Sequence, residues 1–244
     1  MHLEGPATTE SGKRTAIMQP YFFPYIGYFQ LINSVDLLIV YDNIKYTKKG
    51  WINRNRILLN GKDATISLPI KSDSDFLDVR ERELAPDFNP DKLINQLGGA
   101  YRRAPYFTQV FPMIEGILRQ EESNLFKFLY RSIIVICERL GMTTKIRVSS
   151  DIAIDHSLKN QDKVLALCQA VNTEIYVNAI GGLELYSKSD FQARGIELKF
   201  IRSKAFVYSQ FDNEFVPWLS IIDVLMFNSL DAIRECIHSN YELI

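Results

Sequence analysis

The sequence predicts an α/β fold: a mostly parallel sheet with flanking helices, a β-hairpin and an inserted helical region. Three observations lead to it. Short apolar runs closed by polar residues recur at 14–19, 36–42, 144–151, 173–178 and 196–201, as the covered strands of a parallel sheet do. Helical periodicity fills most of the gaps, and strand, helix, strand within about thirty residues is a βαβ unit. One stretch, "RNRILLNGKDATISLPI", instead sets two apolar runs around Asn60-Gly61, a strong hairpin signal.

Taken in order, "RTAIMQ" is a short buried strand stopped by Pro20. "YIGYFQLINSV" carries Ile26, Phe29, Leu31 and Ile32 at helical spacing, and "DLLIVYD" is the second strand. After the hairpin, residues 71–88 are polar and irregular. Asn89 before Pro90 marks a helix start, because Pro has no N–H to leave unsatisfied at the first helical position. Helices follow over 89–107, 108–120 and 124–142, the last closed by Gly141. "TKIRVSSD", "TEIYVN" and "IELKFI" then read as strands, alternating with helices over 160–172 and 187–195. Two further helices, 216–228 and 229–243, complete the chain. No internal repeat or linker interrupts it. The expectation is a disordered tail over 1–13 and one α/β domain over 14–244, with the helical region at about 89–140.

Composition narrows the function classes. Twenty-eight basic residues face 29 acidic ones, so no global field draws nucleic acid or an anionic membrane, and no stable nucleic acid complex is expected. No apolar run reaches the roughly 18–20 residues of a membrane span. The polar N-terminus lacks a signal-peptide layout. Cys137, Cys168 and Cys236 are widely spaced without pairing or metal-ligand spacing, which fits a reducing compartment. The expected localisation is cytoplasmic. No metal-ligand motif is present, and the cofactor stays open. A homo-oligomer is compatible with the sequence.

The candidate site gathers at strand ends, where open α/β sheets bind ligands. "QPYFFPYIGYFQL" holds six aromatic residues in thirteen. Gln19, Tyr21, Tyr25 and Tyr28 offer hydroxyl, amide and stacking contacts. "YDNIKYTKKGWINRNR" follows the second strand. Lys45, Lys48, Lys49, Arg54 and Arg56 suit phosphate, with Trp51 and Asn53 interleaved; the same charges also suit a solvated hairpin. Asp42 is a candidate base or amine anchor, or a turn former. Ser149 and Ser150 either cap a turn or offer hydroxyls to phosphate. Asn178, Gly181, Gly182 and Tyr186 equip a third strand end. Asp223 sits in an apolar helix and is the other candidate base; a buried carboxylate needs a partner, with Arg54 or Arg56 in reach of that role. His156 shows no triad spacing.

These same motifs, "IMQPYFFPYIGYFQLI", "GWINRNRI", "SSD", "YVNAIGG…LY" and "FVPWLSIIDVLMFNS", resemble the WbqC-like protein family over about residues 15–244. The resemblance implies a link to bacterial O-antigen and related surface-polysaccharide gene clusters, and a glycine-transferase role has been proposed for members. A second, fold-level similarity is to the HIGH-motif adenylate-forming and nucleotidyl-transfer enzymes, which implies a Rossmann-like (HUP-like) sheet. Tyr25-Ile26-Gly27-Tyr28 stands where those enzymes carry H-x-G-H. Tyrosine donates a hydrogen bond but carries no positive charge at neutral pH.

The resulting expectation is a transferase attaching an amino acid, glycine first, to a nucleotide-linked sugar, with Asp42 or Asp223 deprotonating the attacking amine. The amino-acid donor stays open. One alternative is a degenerate HIGH-type ligase or nucleotidyltransferase using ATP and magnesium. Another is a non-catalytic sugar-nucleotide-binding or assembly protein.

Overall fold

The computed structural model describes residues 12–244. The tail expected over 1–13 lies outside them apart from its last two residues. The chain opens with β1 (Arg14–Met18), α1 (Ile26–Asn33) and β2 (Leu37–Val40). The hairpin follows as β3 (Arg54–Leu59) and β4 (Lys62–Ser67). Asn60 and Gly61 both take left-handed backbone (φ 52° and 74°), the requirement of the two-residue turn that matches strand twist.

Three helices come next, α2 (Pro90–Tyr101), α3 (Phe107–Leu118) and α4 (Leu125–Leu140). Asn89 caps α2 by accepting the Asp91 amide, and Gly141 ends α4 at φ 73°. The alternation resumes with β5 (Lys145–Val148), α5 (Asn160–Ala170), β6 (Ile175–Ala179), α6 (Lys188–Gln192) and β7 (Glu197–Ser203). The chain closes with α7 (Ile221–Phe227), α8 (Leu230–Ser239) and β8 (Tyr241–Leu243).

Six strands form one sheet in the order β5-β2-β1-β6-β7-β8; every pair is parallel except β7 with β8. From β1 the chain builds outward through β2 to β5, then crosses to β6 on the other side. Strands β1 and β6 therefore flank the topological switch point, where an open α/β sheet leaves a crevice at its C-terminal edge.

Side chains alternate across the sheet as period two demands. Ile17, Leu37, Ile39, Tyr176, Leu198 and Phe200 pack with α5 and α6, while Ala16, Leu38, Val40, Val177 and Ile201 face the larger core that includes α1–α4, α7, α8 and the hairpin. All four residues of β2 are buried, as its uninterrupted apolar run predicts.

Several boundaries differ from expectation: the helix predicted to 107 ends at Tyr101 and the strand predicted to 151 ends at Val148, and two further differences lie near the C-terminus. The helix predicted from 216 begins at Ile221, because Trp218 takes left-handed backbone (φ 60°) and the Ser220 hydroxyl caps the helix by accepting the Ile222 amide. The helix predicted to 243 stops at Ser239, and the last residues pair with β7, Ile201 against Leu243. That pairing covers a sheet edge that would otherwise stand open. Among the described residues, no helix is long and apolar enough to cross a membrane.

Candidate functional site

A cleft of about 1380 Å³ opens over the C-terminal ends of β1, β2 and β6. It exceeds the ~300–1,000 Å³ usual for one small ligand.

The loop from β1 into α1 makes one wall, and its aromatic residues divide the work. Phe22 and Phe23 are wholly buried, whereas Tyr21, Tyr25 and Tyr28 line the cleft. Phe23 sits at φ 42°, an uncommon conformation for a residue with a side chain. The loop is held there from outside. Asn55 Nδ2 donates to the Phe22 and Phe23 carbonyls (3.0 and 2.8 Å), Ser220 Oγ donates to the Phe23 carbonyl (2.8 Å), and the Ile221 amide donates to the Pro24 carbonyl. The Tyr28 hydroxyl donates to the Gln19 carbonyl at 3.0 Å. Burial raises the pKa values of Tyr21 and Tyr28, so both stay protonated hydrogen-bond donors. Tyr25 folds back over Gly27, where a Cβ would push its phenol ring aside.

The opposite wall comes from the ends of β2 and β6. Tyr41, Asn43 and Lys45 follow β2, and Lys45 Nζ lies 4.9 Å over the Phe76 ring. Asn178, Gly181, Gly182 and Tyr186 follow β6 and all reach the cleft. A Cβ on Gly182 would stand 2.8 Å from Asn178 Nδ2, so glycine lets this turn close over that amide. Trp51, Arg56 and Trp218 frame the mouth. The Arg56 guanidinium lies 5.7 Å from the Trp51 ring, and it donates to the Trp218 carbonyl at 3.2 Å.

Several expected site residues do structural work instead. Asp42 is only 2% exposed and lies outside the cleft lining. Its carboxylate accepts from Ser149 Oγ (2.7 Å), the Ser150 amide (3.0 Å) and Ser150 Oγ (2.7 Å). The three side chains thus lock β2 to the turn after β5, and none of them lines the cleft in which the base role expected of Asp42 and the phosphate role of Ser149 and Ser150 would be played. Replacing Ser150 with alanine is expected to cost about 1–2 kcal/mol in a urea unfolding experiment, because a buried carboxylate oxygen loses its donor.

Asp223 is wholly buried and also outside the cleft. Its partners are not arginines: Tyr101 and Tyr208 hydroxyls and Gln210 Nε2 donate to it at 2.8, 2.7 and 2.7 Å. Burial raises its pKa despite these donors. Asn53 ties the hairpin base by accepting from the Tyr46 hydroxyl and donating to the Leu68 carbonyl. Arg54 donates to the Gly50 and Lys49 carbonyls, and Lys48 pairs with Asp75 in solvent. Lys48, Lys49, Asn53 and Arg54 stand outside the lining, so the phosphate contacts expected of these cations narrow to Lys45 and Arg56.

Other residues replace them. Arg80, Lys159 and Lys163 line the cleft beside the start of α5, and none of them enters an ion pair among the described residues. Lys163 is 4% exposed; its Nζ donates to the Asn43 carbonyl at 3.0 Å and lies 5.1 Å from the Tyr41 ring centroid. Burial lowers its pKa, and Lys159 and Arg80 act in the same direction against Asp78 and Asp42. A lysine on the inward face of "NQDKVLALC" was the signal that sequence reasoning passed over. His156 also lines the cleft. Its Nε2 faces the Ile152 carbonyl (3.0 Å) and its Nδ1 faces Asn43 Nδ2 (2.9 Å). A carbonyl only accepts and an amide NH₂ only donates, so the ring is the neutral Nε2–H tautomer. Nδ1 orients Asn43, and Nε2 ties the ring to Ile152.

The chain is similar to an uncharacterized protein of Mycobacterium tuberculosis, Rv1507c, with 28% identity over 231 residues that cover 92% of this chain and 99% of that protein. No solved structure matches. The model of the WbqC-like protein family matches residues 19–235. That span starts at the first residue of the aromatic loop and takes in every cleft residue discussed above, and the chain belongs to the WbqC-like protein family.

Proposed function

We propose that the chain is a transferase of bacterial surface-polysaccharide synthesis, joining an amino acid, glycine first among candidates, to a nucleotide-linked sugar. The observation that carries the reading is one large cleft at the switch point lined by both cations and aromatic rings. Lys45, Arg56, Arg80 and Lys159 suit a diphosphate. Tyr21, Tyr25, Trp51 and Trp218 present faces that suit a sugar or base. The Tyr25 and Tyr28 positions supply neutral phenols where an adenylating enzyme of the HIGH type uses histidines, which favours transfer from a ready-activated acyl donor over ATP-dependent activation. The donor is of the aminoacyl ester or thioester class.

A thermal-shift screen tests this with UDP-, GDP- and dTDP-sugars, glycine, and ATP with magnesium. A ligand present at a hundred times its Kd stabilises the folded state by about 2.7 kcal/mol, roughly 5–10 °C for a chain of this size. A nucleotide-sugar is expected to raise the midpoint by that order. Arg80→Ala is expected to remove most of the rise while leaving the unliganded midpoint nearly unchanged, since its guanidinium has no ion-pair partner to lose. A rise with ATP and magnesium alone would overturn the reading in favour of adenylation.

A further inference from the structure

Two carboxylates were candidates for the base in amide formation, and both are spent on internal hydrogen bonds. The cleft still contains a group suited to the task. We propose that the ε-amino group of Lys163 is the base of the cleft, taking the proton of the attacking amine as it adds to the acyl carbon. The inference rests on the transfer reading above.

The geometry places an amine without a carboxylate partner in the cleft wall. Lys163 is on the first turn of α5, buried to 4% exposure yet part of the cleft wall. Its hydrogen-bond partner is a carbonyl, that of Asn43 at 3.0 Å. A carbonyl takes one N–H and leaves the lone pair unused. A carboxylate in the same place would have fixed an ammonium ion, and no ion pair among the described residues involves Lys163.

The surroundings are mixed in sign. Lys159 precedes it at the start of the helix, Arg80 and Asp78 come from the turn facing it, and Asp42 and Tyr41 come from the end of β2. Asp42 accepts from Ser149 and Ser150. Burial outweighs the two acids and keeps the amine below the usual lysine range. The Asn43 carbonyl holds Nζ in place, and the Asn43 side chain is itself oriented by His156.

The step balances without a further reagent. The amine nitrogen forms a bond to the acyl carbon of the activated ester or thioester. The bond from that carbon to its leaving oxygen or sulfur breaks, and the leaving atom keeps the electron pair. The amine's proton passes to Nζ, which becomes an ammonium ion and later returns the proton to solvent.

Competitive acetylation of the folded protein with trace acetic anhydride across pH 6–10, read by mass spectrometry, tests the site without needing turnover. Lys163 is expected to reach half of its full labelling at lower pH than Lys48 and Lys49, and to be labelled several-fold more than they are at pH 7.5. Labelling that follows the exposed lysines, or that appears at Lys163 only after unfolding, would overturn the proposal. Lys163→Met supplies the second arm: its circular dichroism and melting midpoint are expected to stay close to the parent, while transfer falls at least a hundredfold through kcat rather than KM. Full transfer by that variant would also overturn the proposal. A reactive Lys163 in a protein that turns over no nucleotide-sugar would sink the transfer reading and leave the reactive amine standing.

Discussion

Replacing Asp223 with alanine is expected to cost about 3–5 kcal/mol of folding stability, because three buried neutral donors lose their acceptor at roughly 1–3 kcal/mol each and relaxation recovers part of that. The carboxylate accepts from Tyr101, Tyr208 and Gln210 at 2.7–2.8 Å in a site with no solvent access. Alanine leaves three donors facing one another without an acceptor. Denaturant unfolding checks the figure, and the melting midpoint is expected to drop by roughly 10 °C or more. Asp223→Asn is expected to cost less, because one amide oxygen still accepts. The pH dependence has a definite sign. The folded-state pKa is raised by burial, so folding favours the protonated carboxyl. The contribution of this group is greatest at acid pH and declines as pH rises from 3.8 through the folded value. Asp223→Asn should remove that part of the slope. An alanine variant as stable as the parent would show that the three donors find other partners.

The second large effect is expected at Asn55, which is 6% exposed and bonds both carbonyls of the Phe22-Phe23 pair. Its Oδ1 also accepts the Arg56 amide at 2.8 Å. Asn55→Ala orphans the Phe22 carbonyl and the Arg56 amide and leaves the Phe23 carbonyl to Ser220 alone, and is expected to cost about 2–4 kcal/mol. It also releases Phe23 from left-handed backbone, where only outside bonds hold it. The loop carries Tyr21 and Tyr25, so ligand affinity is expected to fall along with stability. Denaturant unfolding measures the first effect, and nucleotide-sugar titration of the variant at a temperature where it is folded measures the second. Lower stability with unchanged affinity would separate the loop from the cleft.

Sequence captured the parts of this molecule whose causes are local. Asn60-Gly61 fixes its turn through its own backbone needs, and Asn89-Pro90 and Gly141 mark helix ends the same way. The strand ends carrying Tyr25, Lys45 and Asn178 were legible because a parallel sheet gathers its C-terminal edges. Residues whose roles depend on distant partners were not. Asp42 and Ser149 meet across 107 positions, and Asp223 and Tyr101 across 122, so their saturation is invisible along the chain. Lys163 reads as an ordinary charge on an amphipathic helix until the fold places it under Asn43 and Tyr41. The final strand was hidden for a related reason. "YEL" becomes a strand only because the edge of β7 lies open beside it.

The most direct test of the central claim uses the two tryptophans of the chain, Trp51 and Trp218, both of which line the cleft. They are 43% and 53% exposed, so their emission responds to anything stacked against them. With excitation at 295 nm, titration with UDP-, GDP- or dTDP-sugars is expected to give a saturable change for at least one of them. That change should shrink in Trp51→Phe or Trp218→Phe and weaken as salt is raised, as phosphate contacts to unpaired cations require. A flat response to every nucleotide-sugar into the millimolar range would contradict the account.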